Sequence, residues 1–162
     1  RSVRAYLPKQ VEEDALEAVL TAGTYAPTGM NRQSPVIVAV QDAATVAKLS
    51  AMNAAVMGSD KDPFYGAPAV LVVLADPEVR TWVEDGSLVM GNLMNAAHAV
   101  GLASCWIHRA REMFDSAEGK ALLKEWGLPE TLRGVGNCIL GYAAGPLPET
   151  RPRKDGYVVR VK

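Results

Sequence analysis

At 162 residues the chain has the size of one compact domain and is too short for two. Hydrophobic residues make up 49% and charged residues 22%, which excludes a disordered chain. Seventeen Lys plus Arg stand against eighteen Asp plus Glu, so no global field draws the chain to nucleic acid or an anionic membrane, and neither is expected as a partner.

The first predicted element is an amphipathic helix over 11–22. Glu12, Glu13 and Asp14 occupy its first turn, Leu16, Val19 and Leu20 have helical spacing, and Gly23 is the expected stop. Thr24 to Pro35 collects Pro, Gly, Asn, Ser and Thr and reads as a loop, followed by a β-branched strand over 36–40. A second helix is expected over 43–57. Residues 58–68 are turn-rich and carry Phe64 and Tyr65, and 69–75 is a continuous apolar strand of the kind buried on both faces. That stretch is far shorter than the ~20 apolar residues that span a bilayer.

From 85 to 100, Val89, Leu93, Ala96, Ala97 and Val100 form one apolar stripe, while Gly91, Ala96 and Ala99 keep the helix surface thin enough for close packing in an assembly. Gly101 should end it, and 102–107 reads as a strand. A helix near 116–126 closes on Gly127 and Pro129, and 136–142 is the last internal strand. The proline-rich tail that follows carries Tyr157 to Val161 as an edge or partner-exchanged strand. Helices and strands alternate, so the expected architecture is α/β (α+β), one domain over 1–162 with helices on both sheet faces.

Cys105 and Cys138 each lie in an apolar run without the spacing of a zinc site, the pattern of buried reduced thiols in a cytoplasmic protein. The only histidines are His98 and His108, so no metal site is expected and no catalytic triad has sequence support. The chain opens on Arg1-Ser2-Val3-Arg4 with neither a Met nor a signal segment, which reads as a trimmed or processed end.

Four short motifs carry chemistry. The opening tetrapeptide brings two guanidiniums and a hydroxyl together, a set suited to gripping a phosphate, although charges at a chain end are commonly just solvated. Arg151-Pro152-Arg153-Lys154 offers three more cations at the other end. The loop Ala26-Pro27-Thr28-Gly29-Met30-Asn31-Arg32-Gln33 concentrates donors and acceptors of the kind a heterocyclic ring system needs, and the same residues are also those that favour turns. In the fourth, Gly101 to His108, Trp106 and Cys105 read as core residues and His108 ends the strand.

Taken together, the Arg-Ser-Val-Arg start, the Ala-Pro-Thr-x-x-Asn-x-Gln loop, the Gly-Leu-Ala-Ser-Cys-Trp-Ile strand, Gly141-Tyr142 and the closing Arg-Pro-Arg-Lys stand in the order seen in the nitroreductase family, which this chain resembles over essentially its whole length. The resemblance implies a three-layer α/β/α sandwich with a mixed sheet, its tail strand exchanged in a homodimer that binds FMN at the subunit interface. It implies that Arg1, Ser2, Arg4, Arg151 and Arg153 hold the FMN phosphate and ribityl chain. Pro27, Thr28, Asn31 and Gln33 would lie at the flavin ring, and the strand Cys105, Trp106 and Ile107, with Gly141, beside its edge. Phe64, Tyr65 and His108 are then the substrate-side candidates. No side chain is expected to act as catalyst, because the chemistry takes place at flavin N5. The implied reaction is ping-pong electron transfer from NADH or NADPH to a nitroaromatic, quinone or similar acceptor. The rivals are a reductive dehalogenase-type or other specialised flavin reductase on the same fold, and a flavin-binding carrier or sensor.

Overall fold

The structure, a computed structural model, describes residues 1–162. Chain order is α1 (Glu13–Thr24), β1 (Val36–Val40), α2 (Ala43–Met57), β2 (Ala69–Ala75), α3 (Trp82–Ala99), β3 (Ala103–Ile107), α4 (Ala110–Asp115), α5 (Ala117–Glu125) and β4 (Arg133–Gly141). The sheet order is β1-β2-β4-β3.

Strand β2 is the floor of the molecule, with all seven residues 0% exposed. Its alternation divides the core. Val70, Val72 and Leu74 point into a cluster shared with α2, α4 and α5, whereas Ala69, Leu71 and Val73 join a second cluster with α1 and α3. Helices therefore cover both faces, as the three-layer reading requires. Each buried Leu or Val contributes roughly 1.5–3 kcal/mol of transfer free energy, so truncating a side chain at the centre of β2 is costly.

Helix α2 covers the range expected of it and is closed at both ends by local chemistry. Asp42 Oδ2 accepts from Thr45 N at 2.8 Å, and Gly58, at φ 64, takes the left-handed stop. Gly101 and Gly127 close their helices with positive φ in the same way. Both cysteines are free and buried, and burial pushes the Cys138 thiol up to about 12.

Several expectations need correction. All three strand pairings are antiparallel, so the sheet is not mixed, and parallel geometry is confined to a single bridge between Ser2 and Ser104. Gly23 does not stop α1, which runs on to Thr24. A Cβ at Gly23 would lie 2.6 Å from Leu93 Cδ2 and 2.8 Å from Ile37 Cδ1, so this glycine serves the approach of α1 to α3 and β1. Helix α3 starts three residues early, at Trp82, and β4 starts at Arg133. The six-residue α4 was not expected, being too short to show a period. Residues 157–161 form no strand within this chain, and Tyr157, Val158, Val159 and Val161 are 69–94% exposed.

Candidate functional site

The N-terminal segment lies as a strap against the open edge of β3. Val3 N donates to Ser104 O at 3.1 Å, Leu7 N to Tyr142 O at 2.8 Å, and Ala144 N to Ala5 O at 3.0 Å. Val3 and Tyr6 are buried anchors, and the Tyr6 hydroxyl donates to Val3 O at 3.0 Å. Burial pushes the Tyr6 phenol well above its ordinary range, so it stays protonated and donating. With Val3 turned inward, Arg1, Ser2 and Arg4 remain exposed. Gly141 is buried at the end of the strap, where a Cβ would lie 2.7 Å from Pro68 Cδ and 3.0 Å from Tyr6 Cδ1.

The guanidinium of Arg1 donates to Thr150 Oγ1, next to Arg151. The two cationic ends of the sequence thus meet. Between them and the C-terminal half of α3 is a depression of about 350 Å3, lined by Arg1, Ser2, Ser104, Asn95, His98 and Leu147. His98 is a further cation-capable group here that the sequence reading did not use. Arg151 and Arg153 are exposed and have no carboxylate partner.

The second region is the 28–33 loop, built on unusual backbone. Met30, Asn31 and Gln33 all have positive φ, between 50° and 53°. Such angles cost a non-glycine residue about 1 kcal/mol or more each, so something must hold them. Gln33 N donates to Thr28 Oγ1 at 3.0 Å, and Gln33 Nε2 to Asn31 Oδ1 at 3.1 Å. The outside anchor is Asp85, 3% exposed on α3. Its Oδ1 accepts from Gly29 N at 2.9 Å and its Oδ2 from the Thr81 hydroxyl at 3.0 Å. A side chain at position 29 would collide with Thr81 Oγ1, so only glycine allows the loop this close. Thr28 and Gln33 face a depression of about 340 Å3 shared with Thr24, Pro35 and Val89, while Pro27 and Asn31 are exposed.

The third region is the exit of β3. Trp106 is half-buried, close to Gly136, where a Cβ would lie 2.7 Å from its Nε1. Trp106, exposed His108 and Arg109 line a depression of about 300 Å3 with Ser87, Arg111 and Glu112. Cys105 and Ile107 point into the core, so these two residues can meet a ligand only through their main chain. The amide N–H groups of His108 and Arg109 have no partner within the chain.

The remaining candidates separate. Phe64 is 1% exposed and lines a cavity of about 490 Å3 between α2 and the 58–68 turn. Tyr65 is 40% exposed, with the Arg4 guanidinium 6.0 Å from its ring centroid. Burial raises the Asp62 carboxyl, but the Ser50 hydroxyl and the amides of Gly66, Phe64 and Tyr65 outweigh it and hold the group below its usual range. That cavity shares no lining residue with the three depressions described above, so size alone does not locate the chemistry.

A model of the nitroreductase family matches residues 1–142. The chain belongs to the nitroreductase family. A relative from Archaeoglobus fulgidus, provisionally named an NADH dehydrogenase/NAD(P)H nitroreductase, is 31% identical over 150 residues, covering 88% of this chain and 80% of the relative. The crystal structure of a nitroreductase with bound FMN from Bacteroides fragilis superposes with a TM-score of 0.91 at 32% identity, covering 100% of this chain and 94% of that one. A Desulfitobacterium hafniense nitroreductase with bound FMN gives 0.87 at 25% identity, covering 99% and 93%. These likenesses make the family member at hand an oxidoreductase.

The strap, the 28–33 loop and the β3 exit all abut α3: the strap at Asn95 and His98 in its C-terminal half, and the loop and the β3 exit at one level on different faces, at Asp85 and Val89 and at Ser87. No single depression in one chain contains all three.

Proposed function

We propose that the chain binds FMN between two copies of itself and uses it to pass electrons from NADH or NADPH to a nitroaromatic, quinone or similar small acceptor. The observation that carries this reading is the Arg1–Thr150 hydrogen bond, which joins the two arginine-bearing ends of an otherwise nearly neutral chain. A phosphate dianion at an interface needs two or more fixed cations to offset its desolvation, and Arg1, Arg4, Arg151 and Arg153 supply them. Ser2 adds a short neutral donor. Thr28, Asn31 and Gln33 offer both donors and acceptors to a heterocyclic ring, and the free amides beyond Ile107 offer donors to its edge.

Held by these residues, FMN would supply the redox chemistry, two-electron exchange with a reduced nicotinamide and with the acceptor. The residues of this chain bind and orient it. Since one open face serves donor and acceptor in turn, the steady-state kinetics should be ping-pong.

The division of the three regions among separate depressions around α3 is the reason for proposing a second copy. On α3 the exposed positions Leu88 and Asn95 flank Gly91, where a Cβ would touch nothing within 4 Å, leaving a thin surface for another helix. The exposed apolar residues Tyr157 to Val161 suit exchange onto the partner. The two free buried thiols fit a reducing, cytoplasmic compartment.

Purified protein should show a flavin absorbance spectrum, oxidise reduced nicotinamide when a nitro acceptor is added, and scatter light as about twice 17.3 kDa. Arg4→Ala and Arg153→Ala should each weaken FMN by about tenfold or more while leaving riboflavin, which lacks the phosphate, nearly unchanged. Failure of the wild type to bind FMN would sink the reading.

A further inference from the structure

Two buried primary amides converge on one backbone turn. Asn53 on α2 and Asn137 on β4 are both 0% exposed. Asn53 Nδ2 donates to His108 O at 2.7 Å, and Asn137 Nδ2 donates to Ile107 O at 3.4 Å. Asn53 Oδ1 in turn accepts from Arg109 Nε at 3.0 Å. Both amides also lie against Met113 Sδ, at 3.2 and 3.5 Å. Successive carbonyls at 107 and 108 are thereby drawn into the core, and Arg109 is held at φ 74 immediately before α4.

The arrangement is costly. A buried amide loses free energy unless its polar atoms are bonded, and Asn137 Oδ1 has no partner at all. Arg109 accepts a backbone conformation that favours glycine. Aliphatic side chains at 53 and 137 would remove the unpaired amide oxygen, but they would leave the carbonyls of His108 and Ile107 without these donors. What the asparagines secure is the conformation of Ile107–Arg109, and this turn carries the amide N–H groups of His108 and Arg109 that donate to nothing in the chain.

We infer that Asn53, supported by Asn137, is a positioning residue of the flavin site: it presets the His108–Arg109 turn so that its two free amides can donate to the electron-rich edge of the bound flavin. The inference rests on the FMN reading above and goes beyond it by naming residues that touch no ligand. Fixed donors at that edge favour the reduced, more negative flavin over the oxidised form.

The test uses the FMN-loaded wild type with Asn53→Ala and Asn53→Asp, the second keeping the acceptor for Arg109 while removing the donor to His108 O. Both variants should weaken reduced FMN about tenfold more than oxidised FMN, which makes the two-electron potential about 30 mV more negative. Amide hydrogen exchange at His108 and Arg109 in the flavin-free protein should speed up, and kcat should fall more than KM changes. Variants that melt earlier but keep the wild-type potential would overturn the inference and leave Asn53 a core residue. If neither variant folds, the wild type decides by NMR: FMN addition should shift the His108 and Arg109 amide resonances strongly and the Asn53 side-chain amide little. Unmoved backbone amides would overturn it. Wild type that binds no FMN would instead refute the reading beneath it.

Discussion

The 28–33 loop and the 107–109 turn solve the same problem in opposite ways. Both hold non-glycine residues at positive φ: Met30, Asn31 and Gln33 in the loop, and Arg109 in the turn. The loop is tied inward by a backbone N–H, Gly29 to the buried Asp85 carboxylate, and leaves its side chains outside. The turn is tied inward by two carbonyls, to Asn53 and Asn137, and leaves its N–H groups unpaired. In each case the part of the chain left free is the part proposed to meet the ligand. An anchor for side-chain recognition fixes the backbone, and an anchor for backbone recognition fixes the carbonyls.

The sharpest way to break this comparison is to remove the charged anchor. Asp85→Ala strands two half-buried donors, Gly29 N and the Thr81 hydroxyl, and should cost about 1–3 kcal/mol in denaturant unfolding. Asp85→Asn retains an acceptor for Gly29 and should recover most of that. If the two variants unfold alike, the charge rather than the geometry holds the loop.

An effect of similar size is expected from crowding the same contact. Gly29→Ala drives a methyl group into Thr81 and should cost about 1–3 kcal/mol, with FMN and riboflavin affinities falling together because the loop serves the ring and not the phosphate. Adding Thr81→Ala should restore binding. Persistent loss in the double variant would mean that Gly29 is needed for its flexibility and not for its small size.

Smaller is the effect of relieving backbone strain. Asn31→Gly and Arg109→Gly both suit the left-handed region and should change stability by about 1 kcal/mol or less, since relaxed strain offsets the lost side-chain bond. The comparison predicts a split in function: Asn31→Gly removes a ring-facing side chain and should weaken riboflavin, whereas Arg109→Gly keeps the backbone donors and should weaken it less. Equal losses would erase the distinction between the two regions.

The least effect is expected at the 62–66 turn, which serves as a control outside both regions. Its Asp62 carboxyl is held below its usual range, so the stabilisation it contributes is complete above the unfolded carboxylate value near 4 and is lost as pH falls through the lower folded value. Melting temperature measured from pH 7 down to pH 3 should show a steeper acid decline in the wild type than in Asp62→Asn. Parallel curves would show that the turn draws nothing from that charge.

Strand β1 and helices α2 and α5 were legible from local chemistry, β1 through its β-branched run, α2 through the turn-rich segment that follows it and α5 through Gly127 and Pro129; the caps at Asp42 and Ser116 came with the structure. So was β2, whose unbroken apolar run has no reading except burial on both faces. The strap, loop and tail motifs stood in the sequence as residue types in order, which was enough for the family. Three things were not legible: antiparallel pairing throughout, the role of Gly23, and the buried groups Asp85, Asn53 and Asn137 behind the site. Strand direction depends on how β2, β4 and β3 lie side by side, and no local signal records a neighbour. Gly23 looked like a helix stop because the same missing Cβ that frees φ also admits Leu93 and Ile37, and only packing tells the two uses apart. Asp85 and Asn53 each sit in a helix where polar residues ordinarily face water. What converts them into anchors is the backbone delivered to them from far along the chain, Gly29 to one and His108 to the other, and that meeting exists only once the two faces of the sheet have been covered.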